Sequence, residues 1–355
     1  MSRPIEAIID LHALRHNLSV AKNLANGAKV FAVVKANAYG HGLDRVMPGL
    51  VDADGLAVVE FDAALRIRAK ESSKPVLMLE GFFGEQELLR FAELNLNTVI
   101  HERSQIEMLV SAALSRPIDV FVKINTGMNR LGFTPSEVSG ICDELSRCAN
   151  VREISVMTHF ADADGVRGID WQMKALSRAT GSLGLNVCAA NSAALLRYPE
   201  SVGSWVRPGI MLYGASPFSD ATAHDLDLRP VMTLRSEIIA VQNLQAGDCV
   251  GYACTFEAGH PMRIGIVATG YGDGYPRHVP SGSPILVDGN RVRTVGRVSM
   301  DTLCVDISAL PTATIGSPVT LWGSGLPVEE VATAAGTVSY ELLTRITSRV
   351  PIKVV

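Results

Sequence analysis

The run Val30-Phe31-Ala32-Val33-Val34, followed by Lys35, is the first of eight short apolar runs between residues 28 and 230. The other runs occupy residues 56–59, 76–79, 98–100, 120–124, 154–157, 187–190 and 205–206. Helix-forming segments alternate with them, at residues 62–70, 85–94, 105–114, 135–148 and 171–183. Eight such βα units predict a closed (β/α)8 TIM-type barrel. A doubly wound open sheet is the alternative, but no G-x-G-x-x-G follows the first run.

From Pro230 onward the pattern changes to alternating strands with turn signals. Strands are predicted at residues 231–241, 263–269, 285–287, 292–298 and 303–307, and short helices at residues 328–335 and 340–347. Asp288-Gly289 is a strong hairpin signal, because both turn positions need a positive φ. We therefore predict two domains, a barrel over residues 1–229 and a mostly-β domain over residues 230–355.

The composition is that of a folded globular protein, with 47% hydrophobic and 19% charged residues among 355. Lys and Arg total 32 against 36 Asp and Glu, so we expect neither nucleic acid nor a membrane as partner. The first residues show no export signal. Six cysteines without a C-x-x-C pair indicate no disulfide framework and no metal site, and a cytoplasmic location is predicted.

The residues that follow the predicted barrel strands are almost all polar, and many of them are cationic. In barrel enzymes the reactive groups lie where strands end and βα loops begin. The residues at these positions are Lys35, Lys123, Asn125, Arg130, Thr158, His159, Asn191, Ser192, Arg207 and Gly209. Because cations are seldom buried without a partner, this concentration indicates a site that binds anions.

Lys35 by itself allows two interpretations. A lysine at the mouth of a barrel can extend its amine to solvent or pair with a carboxylate. It can also be a Schiff-base lysine, which needs a desolvated amine that attacks an aldehyde. The neighbouring residues Asn37-Ala38-Tyr39-Gly40-His41-Gly42 favour the second interpretation.

Residues 34–42, Val-Lys-Ala-Asn-Ala-Tyr-Gly-His-Gly, resemble the pyridoxal-phosphate attachment motif of the alanine racemases. The resemblance continues in order through residues 123–132, 158–161, 206–210, 213–214, 251–252, 270–275, 298–301 and 339–341. It implies a barrel followed by a β-rich domain, pyridoxal 5'-phosphate as cofactor and interconversion of L- and D-alanine. The D-alanine would serve peptidoglycan synthesis, or the enzyme would serve alanine catabolism.

The resemblance implies that Lys35 attaches the cofactor and acts as one catalytic base, with Tyr252 as the other. Racemisation removes a proton from one face of Cα and returns it on the opposite face, so two bases suit it. Both groups have ordinary pKa values of about 10, so the site must favour the neutral amine and the phenolate. Arg207 and His159 are the cations expected to favour the phenolate.

The resemblance also implies the residues that hold the cofactor. Arg207 would face the pyridine nitrogen and disfavour its protonation, and His159 would bridge Arg207 and Tyr252. The phosphate would lie near the ends of strands seven and eight. The remaining cofactor residues would be Tyr39, Asn191, Ser192, Gly209, Ile210 and Tyr340. Without the resemblance, Asn191 would be interpreted as a helix N-cap.

Arg130 and the Met300 backbone match positions that receive the substrate carboxylate, and Tyr271 matches an entrance residue. Lys123 matches a lysine that is carbamylated in relatives, where its charge positions the arginine. Asp301 has a supporting place beside Met300. Relatives form homodimers in which the β-rich domain of one subunit supplies the tyrosine base to the barrel of the other.

The sequence departs from the family pattern just after Tyr252, where Ala253-Cys254-Thr255-Phe256 occupies a stretch that is commonly glycine-rich. Two other functions remain open. A decarboxylase of the same fold would carry an acidic residue where this chain has Arg207. A non-catalytic pyridoxal-phosphate carrier would resemble the barrel only, so the C-terminal domain argues against it.

Overall fold

The computed structural model describes residues 3–71, 73–181 and 183–355. The chain begins with strand β1 (Ile5–Ile9) and helix α1 (Leu11–Ala25). It divides into two compact units. The barrel unit comprises His16–Ala38 and Gly42–Leu212, and the β unit comprises Met1–Arg15, Tyr39–His41 and Tyr213–Val355.

Eight parallel strands close the barrel in sequence order. They are β2 (Lys29–Val33), β3 (Gly55–Val58), β4 (Val76–Met78), β5 (Asn97–Ile100), β6 (Ile118–Lys123), β7 (Val151–Met157), β8 (Asn186–Cys188) and β9 (Trp205–Val206). The barrel closes where β9 pairs with β2, through Lys29 opposite Trp205 and Val30 opposite Val206. The predicted TIM-type barrel is confirmed, and each predicted run overlaps one of these strands.

Helices lie between the barrel strands in the sequence. They are α2 (Leu43–Val46), α3 (Phe61–Lys70), α4 (Glu85–Glu93), α5 (Arg103–Ser111), α6 (Val138–Ser146), α7 (Asp170–Thr180) and α8 (Ser192–Arg197). Helix α4 shows why these segments fold as they do, since Leu88, Phe91 and Ala92 recur on one face and are buried. Each of the five predicted helical segments overlaps one of these helices, with ends that differ by up to three residues.

The β unit is built on an eight-stranded sheet in the order β13-β16-β15-β14-β17-β10-β1-β18, with β10 also paired to β13. The strands are β10 (Met232–Leu244), β13 (Met262–Val267), β14 (Pro284–Val287), β15 (Asn290–Val295), β16 (Leu303–Asp306), β17 (Pro318–Trp322) and β18 (Ile352–Val354). A separate hairpin joins β11 (Cys249–Val250) to β12 (Phe256–Glu257), and α9 (Val328–Ala334) and α10 (Ser339–Thr344) follow β17. The mostly-β character of this part of the chain is confirmed.

The division into units differs from the predicted boundary at residues 229 and 230. Strand β1 pairs with β10, where Ile9 lies opposite Met232, and also with β18. Its alternate residues Ile5 and Ala7 are buried. The first strand therefore belongs to the β unit, because its partners lie more than 200 residues later in the chain and leave no trace in the local pattern.

The hairpin predicted at Asp288-Gly289 is present. Asp288 and Gly289 have φ values of 50° and 75°, and the flanking residues Val287 and Asn290 pair directly. This is the geometry that a two-residue turn with two positive φ angles requires. Within the described residues, helices long and apolar enough to span a bilayer are lacking.

Candidate active site

The site residues of the barrel unit lie at the carboxyl ends of its strands. Lys35 follows β2, Lys123 ends β6, Thr158 and His159 follow β7, and Arg207 follows β9. Because all eight strands are parallel, these ends meet at one rim of the barrel. The structure thus brings together residues that are up to 172 positions apart in the sequence.

Arg207 is buried and held by carbonyl oxygens at the ends of neighbouring strands. Its Nη1 donates to the Cys188 carbonyl at 2.6 Å and contacts Cys188 Sγ at 3.1 Å. Its Nη2 donates to the Thr158 carbonyl at 2.7 Å and to the Ala189 carbonyl at 3.3 Å. These neutral acceptors orient the guanidinium without neutralising it, so Arg207 brings a fixed positive charge to the rim.

His159 lies beside Arg207, with 3.4 Å between His159 Nδ1 and Arg207 Nη2. Since a guanidinium only donates, Nδ1 acts as the acceptor and the imidazole proton belongs on Nε2. Burial first, and then Arg207 and Arg130, lower the pKa of His159 well below its ordinary value. The expectation that His159 supplies a positive charge is therefore corrected: the structure favours a neutral imidazole.

Lys35 is exposed at the rim, yet the protein around it partly desolvates its amine. This desolvation, and then the charge of Arg130, lower the pKa of Lys35, and Arg207 acts in the same direction. Glu80 opposes them by raising the pKa. The net lowering of the pKa increases the fraction of neutral amine, which is the form that can act as a nucleophile or a base.

A left-handed turn follows Lys35, and the sequence analysis did not predict it. Ala36, Asn37 and Ala38 have φ values of 51°, 53° and 55°, a conformation that costs L-residues about 1–2 kcal/mol each. Asn37 secures the turn, because its backbone carbonyl accepts from Gly42 N–H at 2.9 Å and its Oδ1 accepts from Leu43 N–H at 3.0 Å. Strained backbone of this kind is concentrated at functional sites.

Lys123 is buried, with only 9% of its surface exposed. Burial, followed by the charges of Arg207 and Arg130, lowers the pKa of Lys123 to about 8. A substantial fraction of this amine is therefore neutral near physiological pH. Arg130 itself lies exposed on the loop after β6.

The residues predicted for phosphate binding in the barrel unit lie around Ser192. The buried Ser192 Oγ accepts from Gly209 N–H at 2.8 Å and from Met211 N–H at 3.4 Å. Ile210 begins a short 3-10 turn, Ile210–Tyr213. Asn191 is the N-cap of α8, since its Oδ1 accepts from Ala194 N–H at 3.0 Å. Met211 was not predicted, because a backbone N–H leaves no signal in residue type.

The remaining predicted residues belong to the β unit. Tyr39 is buried and stacks on Tyr213 at 4.6 Å between ring centroids, and Tyr340 lies 6.0 Å from it. Burial, and then Tyr340, raise the pKa of Tyr39. Tyr252, Met300 and Tyr271 are large apolar side chains that are 69%, 52% and 37% exposed.

The loop that carries Tyr252 uses left-handed backbone at non-glycine residues. Gly251, Ala253 and Cys254 have φ values of 73°, 61° and 48°. These are conformations that glycine adopts without cost. The departure from the glycine-rich family pattern therefore places alanine and cysteine where glycine would relieve strain.

The chain joins a closed barrel to a β unit. The barrel rim carries a lysine of lowered pKa and a buried, charged arginine. These features define a class of barrel enzymes. The alanine racemase N-terminal domain matches residues 9–217, and the alanine racemase C-terminal domain matches residues 231–354. The chain belongs to the alanine racemase family and is an isomerase that racemises alanine.

The chain is similar over its full length to proteins named alanine racemase. One from Nitrosomonas eutropha is 51% identical, with 99% of each chain covered. A catabolic alanine racemase from Salmonella typhimurium is 48% identical, again with 99% of each covered. The crystal structure of the biosynthetic alanine racemase from Pseudomonas aeruginosa has a TM-score of 0.96 at 45% identity, covering 99% of both chains.

Proposed function

We propose that this chain interconverts L- and D-alanine with pyridoxal 5'-phosphate as cofactor, and that Lys35 and Tyr252 are its two catalytic bases. The observation that carries the proposal is the geometry of the barrel rim. There a lysine whose pKa is lowered shares one strand-end surface with a buried arginine that keeps its charge. This pair suits an anionic cofactor that carries an aldehyde.

The donor set of the barrel unit fits pyridoxal phosphate. The Lys35 amine is suited to attachment, and the Ser192 hydroxyl and the Ile210 N–H offer hydrogen-bond donors for the phosphate. The Gly209 N–H donates to Ser192 Oγ at 2.8 Å, so its predicted contact with the phosphate would have to replace that bond. Asn191 supports this place by capping α8. When bound, the cofactor withdraws electrons from the substrate and so acidifies its Cα–H bond. Phosphate contacts from the Tyr39 and Tyr340 hydroxyls stay predictions.

Arg207 sets the electrostatics beside the cofactor ring in this proposal. Its position is fixed by the carbonyl groups of Cys188 and Thr158, so it cannot turn away toward solvent. A permanent cation facing the pyridine nitrogen opposes protonation of that nitrogen. Electron withdrawal is then restrained, and this favours simple proton transfer at Cα over side reactions such as transamination or decarboxylation.

The two bases act on opposite faces of the substrate Cα. Lys35, as a neutral amine, takes or returns the proton on one face, and the Tyr252 phenolate does so on the other. The cation that favours this phenolate is Arg207, because His159 is neutral. His159 then transmits the influence of Arg207 as a neutral imidazole between the guanidinium and the tyrosine.

A homodimer with shared active sites completes the proposal. Tyr252, Tyr271 and Met300 expose apolar surface on the β unit, and exposed apolar groups of this kind commonly mark an interface. In the dimer, Tyr252 of one protomer would serve the barrel of its partner, with Tyr271 at the entrance and the Met300 backbone near the substrate. Asp301 supports Met300, because Arg349 pairs with its carboxylate and Arg3 donates to its carbonyl at 2.6 Å.

Arg130 would receive the substrate carboxylate together with the Met300 N–H. Lys123 would position Arg130 as a carbamate, formed when its neutral amine attacks carbon dioxide and releases one proton. The low pKa of Lys123, about 8, supports this modification because only the neutral amine reacts. The carbamate replaces a buried positive charge by a negative one beside an arginine.

Purified protein loaded with pyridoxal phosphate, incubated with L-alanine and assayed by chiral chromatography, tests the proposed function. We expect equal amounts of L- and D-alanine at equilibrium, and no D-alanine from the Lys35→Ala variant. Unchanged L-alanine would overturn the proposal, and loss of alanine to an amine with release of carbon dioxide would indicate a decarboxylase. The biosynthetic role, the catabolic role and the cytoplasmic location stay predictions. A deletion strain that requires D-alanine for growth would indicate the biosynthetic role, and one that grows without it would indicate the catabolic role.

A further inference from the structure

A buried glutamine holds the loop that carries His159. Gln172, in the first turn of α7, is completely buried. Its Oε1 accepts from the Ala161 N–H at 2.7 Å, and its Nε2 donates to the His159 carbonyl at 3.0 Å and to Thr126 Oγ1 at 2.9 Å. The Gln172 side chain therefore binds the backbone on both sides of Phe160, at the His159 carbonyl and at the Ala161 N–H.

The hydrogen bonds beyond Gln172 run in a single direction. Thr158 Oγ1 donates to the Ile124 carbonyl at 3.0 Å and lies 2.7 Å from Thr126 Oγ1. A hydroxyl has one proton to donate, so Thr158 must accept from Thr126. The chain of donors therefore runs from Gln172 through Thr126 and Thr158 to the end of β6. All three side chains are buried, and reversing any one bond would leave an unsatisfied polar group.

This chain ends beside Arg207. Thr158, whose hydroxyl takes part in this series of hydrogen bonds, also accepts from Arg207 Nη2 through its backbone carbonyl at 2.7 Å. His159, whose backbone carbonyl accepts from Gln172, has its Nδ1 at 3.4 Å from the same Arg207 Nη2. Two acceptors of one guanidinium nitrogen are thus supported by one buried network.

We infer that Gln172, acting through Thr126 and Thr158 and through the His159 carbonyl, is a positioning residue for the Arg207–His159 pair. By holding Nδ1 of the imidazole toward Arg207 Nη2, it keeps the imidazole proton on Nε2. Gln172 does not touch the reacting atoms in this role. It fixes the Thr158 carbonyl and the His159 ring so that both face Arg207. The inference rests on the proposed function, which places Arg207 against the cofactor and His159 next to it.

Gln105 provides a matched control within the same barrel. It lies in α5 and is buried, its Oε1 accepts from the His101 N–H at 2.8 Å, and its Nε2 donates to the carbonyls of Glu80 and Phe82 at 3.3 and 3.2 Å. This is the same clamp on a neighbouring pair of loops, without hydrogen bonds to the Thr126–Thr158 chain. Gln105→Glu therefore reproduces the general cost of a buried carboxylate at a loop clamp.

The test compares Gln172→Glu, Thr126→Val, Thr126→Ser and Gln105→Glu in the full-length, cofactor-loaded protein. We expect Gln172→Glu and Thr126→Val to lower kcat about tenfold, with KM for L-alanine changed less than about twofold. The ¹⁵N NMR signals of the His159 ring, assigned with His159→Gln, should move away from those of the Nε2–H tautomer. Thr126→Ser, which keeps the hydroxyl, should restore both. Gln105→Glu should lower Tm while keeping kcat and the His159 signals.

Two results would overturn the inference. One is a folded Gln172→Glu or Thr126→Val protein with parental kcat and unchanged His159 signals. The other is a parallel loss of kcat in Gln172→Glu and Gln105→Glu, which would show a general packing effect. If Gln172→Glu fails to fold, the Thr126→Val and Thr126→Ser pair decides. If the parent does not racemise alanine, the proposed function fails, and the His159 signals still decide the inference.

Discussion

Asp273 and Arg3 form a two-pronged ion pair between residues 270 positions apart: Arg3 Nη1 lies 2.7 Å from Asp273 Oδ1, and Nη2 lies 3.0 Å from Oδ2. Asp273 is completely buried. Its Oδ1 also lies 3.3 Å from Arg349 Nε, and its Oδ2 accepts from the Gly270 N–H at 3.0 Å. This carboxylate therefore ties the start of the chain to the loop that presents Tyr271.

Asp273→Asn should destabilise the protein by about 3 kcal/mol, because it leaves two arginines around a buried group that no longer balances their charge. Urea unfolding measures the change in free energy. Asp44→Asn is the matched control, since Asp44 also pairs with two cations, Arg66 and Lys70, but lies exposed. The control should cost less than about 1 kcal/mol. Equal costs for the two variants would contradict the structural role of Asp273.

Lys35→Ala should abolish racemisation together with the visible absorbance of covalently attached pyridoxal phosphate. The Lys35 amine is proposed to perform both attachment and proton transfer, so the two should fail together. Absorbance spectra and chiral analysis of the same sample measure the two effects. Lys174→Ala, at an exposed position of α7, is the control and should retain both. An attached cofactor in Lys35→Ala would point to a different lysine.

Tyr252→Phe should keep the cofactor absorbance but lower the rate from L-alanine by about 10²–10⁴-fold, the usual contribution of a positioned general base. Lys35 should still exchange the Cα proton of D-alanine with solvent. Incubating each enantiomer separately in D₂O and following deuterium incorporation by mass spectrometry separates the two faces. Full racemisation in both directions would refute the assignment of two bases.

Mixing two inactive variants tests the shared active site. If Tyr252 serves the partner's barrel, a heterodimer of Lys35→Ala and Tyr252→Phe protomers contains one site with both bases and one with neither. Random reassortment should then restore about a quarter of the parental activity. Each variant unfolded and refolded alone is the control. Mixtures that stay inactive while heterodimers form would place both bases in the same protomer.

Carbamylation of Lys123 should increase as the pH rises through about 8, because the fraction of neutral amine increases there. In ¹³C NMR with labelled bicarbonate, we expect a stronger carbamate signal at pH 9 than at pH 7. The signal should be absent from Lys123→Ala. A carbamate signal of equal strength in Lys123→Ala would assign the modification to another lysine.

Much of the fold could be predicted from local patterns. The eight apolar runs, the helical segments between them and the Asp288-Gly289 turn each depend on neighbouring residues, and each lies where it was predicted. The residues at the barrel rim followed from the same reasoning, because a parallel strand directs whatever follows it to one end. The family resemblance, carried by short motifs in order, assigned their roles.

The sequence by itself determined the barrel, the β-rich second half and the residue types at the rim, since period and turn chemistry are properties of adjacent residues. Only the tertiary structure decided that β1 joins the β unit, that Lys35 precedes a left-handed turn, that His159 is neutral and that Gln172 supports it. These features depend on burial, on charge and on hydrogen bonds between segments distant in the chain. Such contacts exist only once the segments have packed together.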